Sequence, residues 1–465
     1  MKKVNFITHK FCKLGLIAVL ITLMASCETW IDPDLNIDPD APGDVPMSLL
    51  MPGIQQNMGF ALMGNDMVRP TNIWMQIYDG VERQSHIQTR YQITAADVNN
   101  LWSSIYTEIL INAKILADKA VEQESPYNAG VAKVMTAYTL QVSTDAWGDI
   151  PYSDALKGGE NILEPLFDTQ EQIYASIFSL LDDAITDLSQ AAASNLIPIE
   201  GDVIYGGDES AWLNAARAIK ARAELQLSKR NGSTAYTNAL ALVDAFSSNS
   251  DDMEVPFENS QPNPVYQFME QRTDFRMCQT FLDELEATSD PRIPFYAAED
   301  EDGNYTGSIP GGENAAASYP GDYQAAIDAP IVLMSYAELK FIEAEAAFQT
   351  SDPVRAAEAF KTAVAASVLK VTGSTNQAWL DANIETVDET SITLEMIMMQ
   401  KRHALVGQAQ LFADWRRTGI PTLDLAIGAT KTEIPRRLPY PQDETIYNPN
   451  VPSIGSIIDP VWWDE

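Results

Sequence analysis

Residues 337–366 read AELKFIEAEAAFQTSDPVRAAEAFKTAVAA, and this stretch decides the fold class. Ala344 is followed at the interhelix spacing by Ala356, and then by Phe360 and Ala363. Small and aromatic residues at this spacing mark the positions where two paired helices touch. The stretch therefore predicts a helical hairpin whose outer apolar face stays open until a neighbouring hairpin packs on it.

Residues 218–246 contain a weaker copy of this pattern, and both segments resemble degenerate tetratricopeptide units. Helical periodicity or strong helix formers also dominate residues 101–122, 131–142, 167–188 and 212–230. For residues 167–188 we predict Asp168 as the N-cap, with Glu171 three residues later. Few stretches alternate with a period of two, so strands should be short and peripheral. The predicted fold is mainly α, with tetratricopeptide-like hairpins and long irregular loops.

The amino terminus has the layout of a lipoprotein signal. Four lysines precede an apolar run at residues 14–24, and two small residues stand directly before Cys27. The run is shorter than the about 20 residues of a spanning helix. Met24-Ala25-Ser26-Cys27 resembles a bacterial lipobox, which implies cleavage before Cys27 and its acylation; an ordinary signal peptide is the alternative. We predict a signal peptide at 1–26, an acylated flexible tether at 27–46 and one helical domain at 47–465.

The composition excludes one large class of partner. The net charge is −35, and loss of the four signal lysines leaves 26 basic against 65 acidic residues, or −39. Such a chain repels phosphate backbones and anionic headgroups, so we expect no nucleic-acid partner. With Cys12 removed and Cys27 acylated, only Cys278 remains, and an internal disulfide is not expected.

Catalytic patterns are sparse in the sequence. The mature chain keeps only His86 and His403, without metal-binding spacing, a phosphate-binding glycine loop or a serine nucleophile elbow. We predict no cofactor, no metal site and no catalytic residue. Glycoside hydrolysis needs only two suitably placed carboxylates, and the Asp300-Glu301-Asp302 cluster offers a candidate pair. A surface glycoside hydrolase is thus the alternative function, although a solvated acidic loop is the default interpretation of this cluster.

Ligand binding is expected on the stretches where helical periodicity is weak, residues 59–93, 257–330 and 434–465, because loops on a rigid frame carry most recognition. Sugar rings stack on aromatic side chains, and their hydroxyls need polar partners. The candidate ligand-binding residues are Arg69, Asn72, Trp74, Gln76 and Tyr78 in the first stretch, and Tyr296, Tyr305, Tyr319 and Tyr323 in the second. For any single aromatic residue, packing in the core is the competing explanation.

Several further segments occur together in a characteristic order. They are DAWGDIPYSDA at 145–155, SYAEL at 335–339 with EAEA at 343–346, DWRRTGIP at 414–421 and IPRRLPYP at 434–441. With the lipobox, this set resembles the SusD/RagB family of nutrient-binding outer-membrane lipoproteins, and is most similar to its second SusD-like subgroup. Physically, these motifs favour structural roles. Arg416 and Arg417 can meet exposed carbonyls or buried acids such as Asp414, and Arg436 and Arg437 can clamp the tail through carboxylates.

The resemblance implies a single helical domain tethered to the surface of a Bacteroidetes-type bacterium. It also implies a partner, a SusC-like TonB-dependent outer-membrane transporter, to which the lipoprotein delivers glycans or oligopeptides as a lid. Ligand residues are not carried over from the family, because its ligand sites do not follow a sequence motif. A scaffold that binds the transporter without a ligand of its own is a third hypothesis.

Overall fold

Helices form most of the regular structure in the computed structural model, which describes residues 45–465. The signal peptide, Cys27 and most of the predicted tether lie outside the described residues. The α-helices are α1 (Met47–Asn57), α2 (Asn65–Trp74), α3 (Arg83–Thr89), α4 (Asn99–Ser104), α5 (Ile111–Glu122), α6 (Pro126–Trp147), α7 (Gln170–Leu188), α8 (Glu209–Gln226), α9 (Ser228–Asn231), α10 (Ser233–Leu240), α11 (Pro264–Gln271), α12 (Gln279–Glu286), α13 (Ile293–Tyr296), α14 (Asp322–Ala325), α15 (Tyr336–Gln349), α16 (Pro353–Thr372), α17 (Gln377–Asn383), α18 (Leu394–Ala404), α19 (Gln410–Thr418) and α20 (Gln442–Tyr447). The prediction of a mainly α fold is confirmed.

The described strands form two small antiparallel pairs. They are β1 (Tyr78–Gly80) with β3 (Phe275–Met277), and β2 (Met253–Val255) with β4 (Ile331–Met334). They are short, as predicted, but the expectation that they are peripheral is wrong, since every residue of β1, β3 and β4 is buried. The loop backbone at Ser318 adds to the β1–β3 pair, because the Met277 amide donates to the Ser318 carbonyl at 2.9 Å.

The hairpin predicted from residues 337–366 is α15 followed by α16. Its four contact residues, Ala344, Ala356, Phe360 and Ala363, are at most 1% exposed. The Ser335 hydroxyl caps α15 by accepting the Glu338 amide. Helix α16 begins with a proline and is followed by Gly373, whose backbone is in the left-handed region. Local capping and interhelix packing therefore agree, and the hairpin prediction is confirmed.

The start of α7 differs from the prediction. Thr169, and not Asp168, is the N-cap, and it forms a capping box with Gln172. Asp168 instead accepts the backbone amides of Tyr152 and Ser153 at 2.8 and 2.7 Å. Either residue can cap a helix, and the bonds of Asp168 across the adjoining turn decide the choice.

Buried ion pairs tie the helices together at the recognisable motifs. Arg222 of α8 donates to Glu338 of α15 at 2.7 and 2.6 Å. Arg417 of α19 contacts both Glu345 of α15, at 2.7 Å, and Asp414, at 3.0 Å. All of these residues are at most 6% exposed. The structural interpretation of the Arg417 motif is confirmed.

The irregular tail is fastened to the helices by neighbouring arginines. Arg436 pairs with the Asp464 carboxylate, with Nε to Oδ2 at 2.6 Å, as predicted. For Arg437 the prediction of a carboxylate partner is wrong, because its Nη2 donates to the Trp147 carbonyl and the Tyr440 hydroxyl. Arg416 donates to the carbonyls of Asp145 and Arg436 at 2.6 and 2.8 Å, which joins α19 to the tail.

No helix within residues 45–465 combines the length and the apolar character needed to cross a membrane.

Candidate functional site

The first predicted ligand-binding stretch is helical and buried, so its prediction as a helix-poor loop is wrong. Arg69, Asn72 and Trp74 lie in α2. The Trp74 indole is fully buried, and its Nε1 donates to the Gln88 carbonyl at 3.1 Å. The Asn72 amide donates to the Gln408 carbonyl at 3.1 Å. These partners lie 14 and 336 positions away along the chain, so the local sequence pattern could not show these contacts.

The two remaining residues of that stretch are also enclosed. The Gln76 amide donates to the Asp424 carbonyl at 2.6 Å, and the Tyr78 ring lies 4.9 Å from Phe275. Gln76 and Tyr78 are each 3% exposed. Whether any of the five residues contacts a ligand stays a prediction, and the described contacts give all five a packing role.

Arg69, Tyr78 and Tyr323 are brought together around an internal cavity of about 30 Å³. Burial lowers the pKa of Arg69, and its Nη1 has no hydrogen-bond partner among the described residues. A cavity of this size and polarity suits a water molecule, whereas ligand pockets occupy about 300–1,000 Å³. Tyr296 packs beside it, edge-on to Tyr323 at 5.4 Å, and its hydroxyl donates to the His403 carbonyl.

Tyr305 and Tyr319 lie on the loop of residues 297–321, and both reach the surface. The side chain of Tyr319 is 39% exposed. The Ser318 amide donates to the Thr306 carbonyl at 2.9 Å, so the backbone beside Tyr305 runs next to that beside Tyr319. Of the nine predicted residues, these two are the best placed to meet a ligand.

A buried arginine supports the Tyr319 ring from below. The Arg276 guanidinium carbon lies 3.7 Å from the ring centroid, and its Nη2 donates to the Tyr319 hydroxyl at 2.9 Å. Arg276 is 4% exposed and also donates to the Ala315 and Thr273 carbonyls. Burial lowers the pKa of Arg276, while Tyr319 and Glu82 oppose that change. The ring is therefore held in one orientation with part of its surface free.

Two charged residues, Glu82 and Arg83, follow β1, the strand that pairs with the Arg276 strand. The amide of Glu82 donates to the Asp274 carbonyl at 3.1 Å, next to Arg276 on β3. Arg83 has a side chain 55% exposed and donates to Asp274 at 2.6 Å. We call Tyr319, Arg276, Glu82 and Arg83 the tyrosine platform. Of these four residues, only Tyr319 was predicted from the sequence. The available signal for Glu82 and Arg83 was that they follow the predicted Tyr78 closely along the chain.

The 297–321 loop is anchored from within the fold. Asp79 is fully buried, and it accepts the Ser308 hydroxyl at 2.6 Å and the Gly311 amide at 2.8 Å. Burial raises the pKa of Asp79, and both hydrogen bonds favour its ionised form. Tyr319 thus stands on a loop fixed by a buried carboxylate.

The acidic cluster considered for hydrolysis closes its own turn. Asp300 accepts the amides of Asp302 and Asn304 at 3.0 and 2.9 Å, and the Thr306 hydroxyl at 2.8 Å. These bonds lower the pKa of Asp300 and account for its position. Across residues 45–465, no group of three or more His, Cys, Asp or Glu side chains is arranged to hold a metal ion.

The architecture defines a class of protein, one in which tetratricopeptide-like helical hairpins support an aromatic and polar surface on a loop. The family model for SusD-like proteins, described as "Starch-binding associating with outer membrane", matches residues 39–441. The chain belongs to this SusD-like family. The resemblance predicted from the sequence motifs is therefore confirmed.

Solved structures agree with this assignment. A SusD/RagB family protein from Bacteroides thetaiotaomicron is 26% identical, with a TM-score of 0.75 over 90% of this chain and 99% of that chain. A chitin-binding SusD homolog from Flavobacterium johnsoniae is 21% identical, with a TM-score of 0.74 over 90% of this chain and 96% of that chain. The second likeness shows the fold alone. None of the functionally curated proteins compared with the chain matches it.

Proposed function

We propose that this protein is a cell-surface lipoprotein, acylated at Cys27, that binds glycans or oligopeptides and delivers them to a SusC-like TonB-dependent outer-membrane transporter. Its membership in a family described as starch-binding and outer-membrane-associated supports this role. Its structural neighbours include proteins described as chitin-binding. The chain acts by binding, and it does not transform its ligand.

The exposed Tyr319 ring on the buried Arg276 guanidinium is the observation that carries the proposal. An aromatic side chain that is already ordered loses little conformational entropy when the apolar face of a ligand stacks on it. Glu82 interacts electrostatically with Arg276, and Arg83 follows it in sequence. A carboxylate can accept hydrogen bonds from glycan hydroxyls or peptide amides, and a guanidinium can donate them. Tyr305 extends the same surface from the 297–321 loop.

Calorimetric titration of the purified chain tests the binding role. Maltohexaose, N-acetylchitohexaose and a mixed oligopeptide preparation serve as ligands, with Tyr319→Ala compared against Tyr447→Ala. Tyr447 is 74% exposed in α20 and provides a matched loss of one surface tyrosine. We expect the wild-type chain to bind a ligand without releasing reducing ends. Tyr319→Ala should weaken this binding, and Tyr447→Ala should not. Release of reducing ends would instead support the glycoside hydrolase.

Metabolic labelling tests the anchor and the partner separately from the ligand. Palmitate should enter the wild-type chain and not Cys27→Ser, and the wild-type chain should copurify with a TonB-dependent barrel from cell envelopes. Absence of label from the wild-type chain contradicts acylation. Copurification with the barrel, combined with no response to any nutrient, would favour the scaffold hypothesis.

A further inference from the structure

An open groove lies at the carboxyl-terminal tail and shares no residue with the tyrosine platform. It runs between the Gly148-Asp149 turn, the first residues of α7 and the tail at 452–465, and encloses about 370 Å³. This volume is within the range of about 300–1,000 Å³ for small-ligand sites. We call it the tail groove. The motif residues 145–155 and 434–441 border it, yet their structural roles described above leave its open space unexplained.

Trp462 provides the aromatic wall of the tail groove. It is half-buried, and the Arg230 guanidinium carbon lies 5.0 Å from its ring centroid. The next residue, Trp463, is fully buried and donates from Nε1 to Asp145 at 2.7 Å. Asp464 is held by Arg436, so the backbone following Trp462 is fixed. These contacts order the Trp462 indole at the groove before any ligand binds.

Arg437 lines the groove with unused hydrogen-bonding capacity. It is 8% exposed, and its Nη2 is engaged by the Trp147 carbonyl. Its Nε is buried and has no hydrogen-bond partner within residues 45–465. This Nε has no exposed surface, so a ligand oxygen in the groove would meet the guanidinium at its terminal nitrogens, where a charge-assisted hydrogen bond can form.

The other polar groups of the tail groove are acceptors and hydroxyls. Asp149 is half-buried, and Glu171 and Glu465 are exposed. Arg230 offsets Glu465, with its Nη2 2.9 Å from the carboxylate, so three carboxylates face the two guanidinium groups of Arg230 and Arg437. Ser453 adds an exposed hydroxyl to the same walls, whereas the Thr169 hydroxyl is engaged by Gln172. This excess of negative charge disfavours an anionic ligand. It suits a ligand with several hydroxyl donors.

The remaining walls are apolar and come from Pro452, Ile454, Pro460 and Val461. A ligand that has an apolar face, many hydroxyls and no negative charge is a neutral saccharide unit. An extended peptide would gain most from an unpaired strand edge, and none of the described strands lines this groove. We propose that the tail groove binds a saccharide unit of a neutral glycan, with its ring against Trp462 and its hydroxyls on Arg437 and the carboxylates.

This inference rests on the proposed glycan-binding function and adds a second contact point for the same class of ligand. Two contact points on one chain would let a single long glycan engage both, which raises its apparent affinity without a new pocket. The proposal therefore predicts that a short saccharide occupies the groove even when the tyrosine platform is disabled.

Fluorine NMR on the full chain labelled with 5-fluorotryptophan tests the proposal, with maltohexaose and N-acetylchitohexaose as probes. The Trp462 resonance is assigned through Trp462→Phe. We expect it to shift on titration in both wild type and Tyr319→Ala. Trp462→Ala introduced into the Tyr319→Ala variant should weaken its affinity for the saccharide, measured by calorimetry, at least several-fold. Trp379→Ala is the matched control, because Trp379 is also half-buried and also has an arginine over its ring, Arg292 at 5.9 Å.

Ser453→Arg fills the groove from an exposed position and gives a second variant that should fold normally. It should abolish the Trp462 shift. If saccharide binds wild type while the Trp462 resonance stays still, the tail groove is not a site and the proposed function stands. If only peptides bind, the groove proposal is overturned while the binding role survives. If no nutrient binds, both fail.

Discussion

The guanidinium of Arg222 on α8 donates to both carboxylate oxygens of Glu338 on α15, at 2.7 and 2.6 Å, with both residues at most 3% exposed. The same guanidinium donates to the Leu333 carbonyl of β4 at 2.7 Å. One side chain thus joins two helical hairpins and a strand. The ion pair explains why the Glu338 carboxylate of the SYAEL motif can be fully buried within α15.

Glu338→Ala should destabilise the fold strongly, because it leaves the Arg222 charge buried without its partner. Removing one member of a buried pair costs about 3–5 kcal/mol. The free energy of unfolding, from urea titration, measures the effect. Lys114→Ala is the control, since the Lys114–Asp118 pair is 46% and 65% exposed at its two side chains. Its loss should cost less than about 1 kcal/mol, and similar losses for both variants would contradict the argument.

The sequence alone was sufficient for the hairpin of α15 and α16, because its evidence is local. Ala344, Ala356 and Phe360 are buried in two helices that a short turn joins, and capping residues stand at the ends of these helices. The same applies to the family motifs, whose order along the chain is a property of the sequence. Fold class and family were therefore predictable.

Residues 65–74 show where local reasoning failed. Pro70 lies inside α2, and every residue from Met67 to Trp74 is buried. A segment buried on all sides has no alternating apolar face, so neither periodicity nor propensity reveals it. The partner of the Trp74 indole is the Gln88 carbonyl, which only the tertiary fold brings near. The pairing of Tyr319 with Arg276, 43 positions apart, was hidden for the same reason.

Stability should depend on pH through Asp145. Burial raises the pKa of this carboxyl from 3.8 to about 6, opposed by hydrogen bonds from Tyr174 and Trp463. The folded state then holds the proton more tightly than the unfolded state, so this contribution is complete below about pH 4 and is lost as pH rises through about 6. The free energy of unfolding of Asp145→Asn minus that of wild type should therefore rise by about 2–3 kcal/mol between about pH 4 and about pH 7.

Urea unfolding of both proteins at each pH gives this difference directly. Glu433→Gln, at an exposed position, is the control and should show no comparable trend. A constant difference between Asp145→Asn and wild type across the range would show that Asp145 titrates normally in the fold.

Gly148→Ala should destabilise the turn after α6. Gly148 has φ +87°, and an added Cβ would lie 3.1 Å from Arg437 Nη2. Side chains rarely adopt this backbone conformation, and the strain costs about 1–3 kcal/mol. Thermal and urea unfolding measure the loss. Gly158→Ala is the control, because nothing lies within 4 Å of its added Cβ. An equal effect at both positions would argue against a special conformation at Gly148.

Arg276 and Tyr319 should act as one unit in ligand binding. Arg276→Met removes the guanidinium that orders the ring, while Tyr319→Ala removes the ring itself. If Arg276 acts through Tyr319, the double variant should bind maltohexaose or N-acetylchitohexaose no more weakly than Tyr319→Ala alone. Calorimetric affinities of wild type, both single variants and the double variant complete the cycle. Additive losses would show that Arg276 contacts the ligand independently, and unchanged affinity in all variants would exclude the tyrosine platform as the site.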